Sequence, residues 1–156
     1  MKLCISTLLF VFFMCACSNN PKTEENPTTE TPAVIATPEF APIPLEIGGE
    51  LFNECDFVYY IFYELPFSMS YDRQATIQMA VSWIGKSSDI PTSGCKSLGR
   101  MIFQKQGAVI IEAEIYVSED CSHYKWIKDG QVLYASQMSP AGKNHYMGII
   151  NKYSKQ

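Results

Sequence analysis

The plainest pattern along the chain is an alternation. Val109, Ile111, Ala113, Ile115 and Val117 interleave with Ile110, Glu112, Glu114 and Tyr116. A period of two marks a strand with one buried face, so Glu112, Glu114 and Tyr116 are expected on its exposed face. Further on, Tyr124–Lys128 and Gln131–Ser136 flank Asp129-Gly130, a pair suited to the positive φ angles of a type I′ hairpin turn. Arg100–Lys105, ahead of Gln106-Gly107, reads as one more strand. Helical spacing marks other segments. Leu51, Cys55, Val58 and Phe62 recur at helical intervals and predict a helix, against a bias toward strand from the aromatic and β-branched residues after Phe57. Asp72 is placed to N-cap a second helix ending at Gly85, with Ala75, Met79, Ser82 and Trp83 on one side. Ser139-Pro140 opens a last helix as N-cap and first residue, with Tyr146, Ile149, Ile150 and Tyr153 sharing a face. Helix, helix, four strands and helix predict an α+β domain: an antiparallel four-stranded meander with helices packed on one face.

Composition sets the limits of that domain. Six of the nine prolines fall between residues 19 and 44, among Thr and Glu. Such a stretch buries too little apolar surface to offset its ordering entropy, and proline biases it toward extended conformations. Residues 17–44 therefore read as a tether, reaching at most roughly 80 Å. Residues 45–156 are long enough for one small domain with its own core. That domain carries 12 acidic and 10 basic residues, a net charge of −2, which argues against the basic footprint of a nucleic-acid partner.

The amino terminus changes the picture most. Lys2 precedes an apolar run, Leu3 to Met14, and Met14-Cys15-Ala16-Cys17 leads into Ser18-Asn19-Asn20. The run is too short to span a bilayer, for which roughly 20 residues are needed, and has the length of a secretory signal. The order of features resembles the signal of bacterial lipoproteins, although Cys15 stands where that pattern favours Ser or Ala. The acidic, Pro/Thr-rich spacer and aromatic-rich domain are similar in texture to lipoproteins of Bacteroidota-type bacteria. The resemblance implies a signal peptide over residues 1–16, cleavage between Ala16 and Cys17, and a lipid on Cys17. It also implies an outer-membrane address, because Ser18 occupies the place where Asp often signals retention at the inner membrane. Two or three acyl chains at about 0.8 kcal/mol per buried methylene would hold the protein stably on a membrane.

An exported chain meets an oxidising compartment, where cysteines tend to pair. The Gln106-Gly107 turn pairs Lys105 with Ala108, so facing residues sum to about 213 and Cys95 comes opposite Ser118. Cys121 is three residues beyond, within reach of flexible strand ends. A Cys95–Cys121 disulfide is predicted, leaving Cys55 as a buried thiol. No Cys-x-x-Cys is present, and neither His123 nor His145 has a metal-binding companion at the right spacing, so no metal and no cofactor are expected. No Gly-x-Ser-x-Gly, His-Glu-x-x-His or phosphate-loop pattern is present. Glu112 and Glu114 share a strand face about 7 Å apart, a spacing open to acid–base chemistry but ordinary for a solvated face. The expected role is therefore non-catalytic: binding or scaffolding an envelope protein or glycan from a membrane anchor, with Glu112, Glu114 and Tyr116 as the candidate face. The alternatives are a small envelope enzyme or enzyme inhibitor, or a carrier whose Leu51–Phe62 segment lines a cavity for an apolar ligand.

Overall fold

A computed structural model describes residues 39–91 and 93–153. The signal peptide, the Cys17 attachment site and the tether up to residue 38 lie outside the described residues. The elements follow in the order β1 (Ala41–Pro42), α1 (Leu45–Asn53), β2 (Phe57–Phe62), β3 (Ser68–Tyr71), α2 (Gln74–Val81), β4 (Ser97–Lys105), β5 (Ala108–Val117), β6 (Ser122–Lys128), β7 (Gln131–Gln137) and α3 (Pro140–Tyr153). The fold is α+β, but its sheet has seven strands in the order β1-β7-β6-β5-β4-β2-β3. All neighbours are antiparallel except β1, which runs parallel to β7. The predicted four-stranded meander is the middle of this mixed sheet, extended by β2 and β3 on one side and β1 on the other.

Each departure has a local cause. The helical spacing over residues 51–62 belongs to two elements. Leu51 is buried from α1 and Cys55 from the turn after it, whereas Val58, Tyr60 and Phe62 are buried by the alternation of β2. Six consecutive aromatic or β-branched residues from Phe57 settle that stretch as strand. Asp72 does not cap α2. The cap position is the extended Arg73, the helix stops at Val81, and its buried residues are Ile77, Ala80 and Val81 rather than Ala75 and Met79. Ala41–Pro44, expected in the tether, belong to the fold, with Ala41 and Pro42 paired to Tyr134 and Ala135.

Other expectations hold in detail. Asp129 and Gly130 have φ of 52° and 77°, and Gln106 and Gly107 have 52° and 81°, as two type I′ turns require. Ser139 accepts from the Gly142 N–H at 3.3 Å through its hydroxyl and caps α3. Facing residues of β2, β4, β5 and β6 bury Val58, Tyr60, Met101, Phe103, Ala113, Ile115, Tyr124 and Trp126 on one side of the sheet. These residues form one core with Leu51, Ile77, Val81, Trp83 and Tyr146 from the helical segments. Among the described residues no helix packs on the opposite face of β2, β4 and β5, which holds the candidate residues.

Candidate functional site

Pairing along β4 and β5 builds a fixed polar cluster on the open face. A bulge between Phe103 and Gln104 shifts the register by one, so that Arg100 faces Glu114 and Ile102 faces Glu112. Arg100 donates from Nε and Nη2 to Glu114 Oε1 at 3.1 and 3.0 Å, and from Nη1 to Glu112 Oε2 at 2.8 Å. The Tyr63 hydroxyl donates to the same Glu114 oxygen at 2.6 Å, and the Ser97 hydroxyl donates to Glu114 Oε2. Partial burial alone would raise the Glu114 carboxyl, but the Ser97 and Tyr63 hydroxyls and the Arg100 guanidinium hold it below the usual carboxylate range. Glu114 keeps 13% of its side-chain surface and Arg100 37%, so the guanidinium is the reachable part of the cluster.

Beside this cluster Tyr116 stacks on His123, with ring centroids 4.6 Å apart and planes 9° from parallel. Lys125 Nζ lies 5.5 Å from the centroids of both Tyr116 and Phe40, within cation–π range. His123 is only 1% exposed, and neither ring nitrogen has a hydrogen-bond partner among the described residues. Burial, and then the Lys125 charge, push its pKa down to about 4.

The three face residues named from sequence are thus brought together, with different exposures and partners. Sequence reasoning missed Arg100, Tyr63, Ser97 and Lys125. A uniform facing sum of 213 puts Arg100 opposite Ala113, on the inner face, and the bulge moves it outward. Met101 and Phe103 carried the signal, since apolar residues at those positions send Arg100 and Ile102 to the other side. Val109, expected inward, is 53% exposed next to that bulge.

The cysteines pair as expected. Cys95 and Cys121 are joined with Cα atoms 5.9 Å apart, while Cys55 is a buried free thiol donating to Phe57 O at 3.3 Å. Burial raises the Cys55 pKa, which disfavours the thiolate. Among the described residues no three His, Cys, Asp or Glu side chains cluster as metal ligands, and no helix is long and apolar enough to cross a membrane.

Of the concave regions among the described residues, two are mainly apolar and lie away from the open face. An almost wholly apolar groove of about 300 Å³ runs between Pro42–Leu45 and Gly48 on one side and Val81, Ile84 and Gly85 on the other, with Lys86 at its edge. A second, wider one of about 450 Å³ lies between Phe67 and Met69 of the β3 segment and the α3 residues His145, Gly148, Ile149, Lys152 and Tyr153. The Leu51–Phe62 segment, by contrast, sends its inward side chains into the packed core. No protein-family model matches the chain, and no curated protein or solved structure shows significant similarity to it.

Proposed function

We propose that the chain is an exported lipoprotein, anchored through Cys17 in the outer membrane, whose folded domain is a non-catalytic binding module for an envelope protein or glycan. The observation that carries the binding reading is the fixed set of side chains on the helix-free face. Arg100 is held by two carboxylates and Tyr63 by one of them, so the guanidinium plane and an aromatic ring are presented in one geometry. Fixed aromatic and guanidinium groups lose little side-chain entropy when a partner docks, the property that enriches them in recognition surfaces. Glu114, held ionised by three donor side chains, is unsuited to act as a general acid beside Glu112.

Two experiments test the reading. Metabolic labelling with palmitate is expected to mark the wild type and not Cys17→Ser; equal labelling of both would remove the anchor. A photo-crosslinking residue placed at Tyr63 or Tyr116 in living cells is expected to give a discrete adduct that the same residue at the exposed Asn53 of α1 does not. The adduct should also weaken when Arg100→Ala is added. Adducts that ignore position and Arg100 would sink the open-face assignment. Protease shaving of intact and permeabilised cells then decides between the cell surface and the periplasm.

A second reading, carriage of an apolar ligand, draws support from the groove beside α1 rather than from the Leu51–Phe62 segment. It predicts binding of an apolar dye by the purified protein, abolished by Gly48→Phe. No added Cβ at Gly48 meets an atom within 4 Å, so that change is tolerated while the groove fills.

A further inference from the structure

The two edges of the sheet are treated differently. At one edge β7 is covered by the two-residue β1, which contains Pro42, so that side offers little backbone to another strand. At the other edge β3 reads Ser68-Met69-Ser70-Tyr71, with no proline, lysine or bulge to discourage pairing. β3 pairs with β2 through one side of its backbone, from Val58↔Tyr71 to Ile61↔Ser68, and no strand among the described residues pairs with its other side. The groove of about 450 Å³ lies along this edge on the helix side. Met69 forms its strand wall, and His145, Gly148, Ile149 and Lys152 form the α3 wall.

We propose that β3 and α3 form a docking site for an extended acidic–apolar peptide segment of a partner protein, which adds to the sheet as an eighth strand. A strand laid about 4.8 Å from β3 would point alternate side chains toward α3, on the side where Met69 and Tyr71 already face. Those side chains enter a groove whose walls are Phe67, Met69, Ile149 and Tyr153. The sign of the partner's charge follows from the lining. Lys152 is the only charged side chain there and has no carboxylate within ion-pairing distance among the described residues. His145 accepts or donates one bond at 3.1 Å with the Tyr71 hydroxyl, and burial lowers its pKa, so it adds no charge at neutral pH. A carboxylate on the incoming strand is attracted and a lysine repelled. This surface is separate from the open face and does not depend on its reading.

Gly148 supplies the test. It lines the groove from α3, and a Cβ built there meets nothing within 4 Å, so a larger side chain fills the groove without disturbing the core. Replacing a helical glycine also favours the helix. A phage-displayed random heptapeptide library is selected on the full chain and screened in parallel on Gly148→Leu and Lys152→Glu. The expected pool alternates apolar residues with an excess of Asp and Glu. Chosen peptides, measured by fluorescence anisotropy, should bind Gly148→Leu at least about tenfold more weakly. Lys152→Glu, at an exposed position whose Nζ lies 5.1 Å from the Tyr153 ring centroid, should invert the charge preference. A pool that binds both variants as well as the wild type, an excess of basic peptides, or no enrichment over Gly148→Leu would overturn the proposal. Concentration-dependent dimerisation lost in Gly148→Leu would also overturn it, assigning the edge to a second copy of this chain.

Discussion

His123 makes a sharp test of how far burial controls this fold. Its ring sits under Tyr116 with both nitrogens unpartnered among the described residues, and its pKa falls from 6.5 to about 4. Of the charged groups on the open face, Lys125 opposes its protonation, and Glu114 is committed to Arg100, Tyr63 and Ser97. An imidazole whose folded pKa lies below its unfolded value takes up its proton first in the unfolded chain. Stability is therefore full above about pH 7, falls between 6.5 and about 4, and levels off below that. The whole gap corresponds to a ceiling of about 3 kcal/mol. The Tyr116 ring stacked on the imidazole is itself only partly buried, so about 2 kcal/mol is the better expectation. His123→Phe keeps a ring against Tyr116 and removes the titrating group. Urea unfolding of both proteins at pH 7.5 and 4.5 is the assay. The wild type should lose about 2 kcal/mol more than the variant between those values, while the Glu114 contribution, common to both, cancels. A difference between the proteins that stays within about 0.5 kcal/mol at the two pH values would refute burial as the cause.

Reducing or substituting the disulfide (Cys95→Ala with Cys121→Ala) should cost about 3 kcal/mol in denaturant unfolding, from the loop of 26 residues it closes. Non-reducing peptide mapping should meanwhile recover Cys55 as a free thiol. Gly142→Ala should destabilise by about 1–3 kcal/mol despite the better helix former, because its Cβ would lie 2.7 Å from Trp83 Cβ. Gly148→Ala in the same helix meets nothing and should stabilise by up to about 1 kcal/mol. Arg100→Met should raise the Glu114 pKa toward the ordinary carboxylate range, read by carboxyl NMR titration; an unmoved value would mean that Ser97 and Tyr63 alone hold it.

Local rules made the middle of the molecule legible. The β5 alternation from Ile111 onward, the Asp129-Gly130 turn and the Ser139 cap each depend on residues within a few positions, and each formed as expected. The disulfide followed from counting across one turn, and the shift introduced by the bulge was small enough for loops to absorb. The same shift defeated the reading of the site, because one residue of slip exchanges the faces of a strand. Arg100 was thereby hidden from Glu114. The helix expected over residues 51–62 failed for another reason: buried positions at a helical interval arose from a helix and a strand meeting near Cys55. The outer strands β1 and β3 are short and are defined by partners distant in the sequence, information that no local window holds.

The parallel pairing of β1 has a mechanical consequence. A pull on the chain ahead of Phe40 reaches the domain through Ala41 and Pro42, which are held to β7 over only two residues. Tension would detach this short element first, then draw on α1, whose wholly buried Leu51 is the next point of resistance. The central strands, with most of the core packed against them, stay out of the line of force until α1 has left. A two-residue pairing at the point where tension enters is therefore expected to yield before the central strands do.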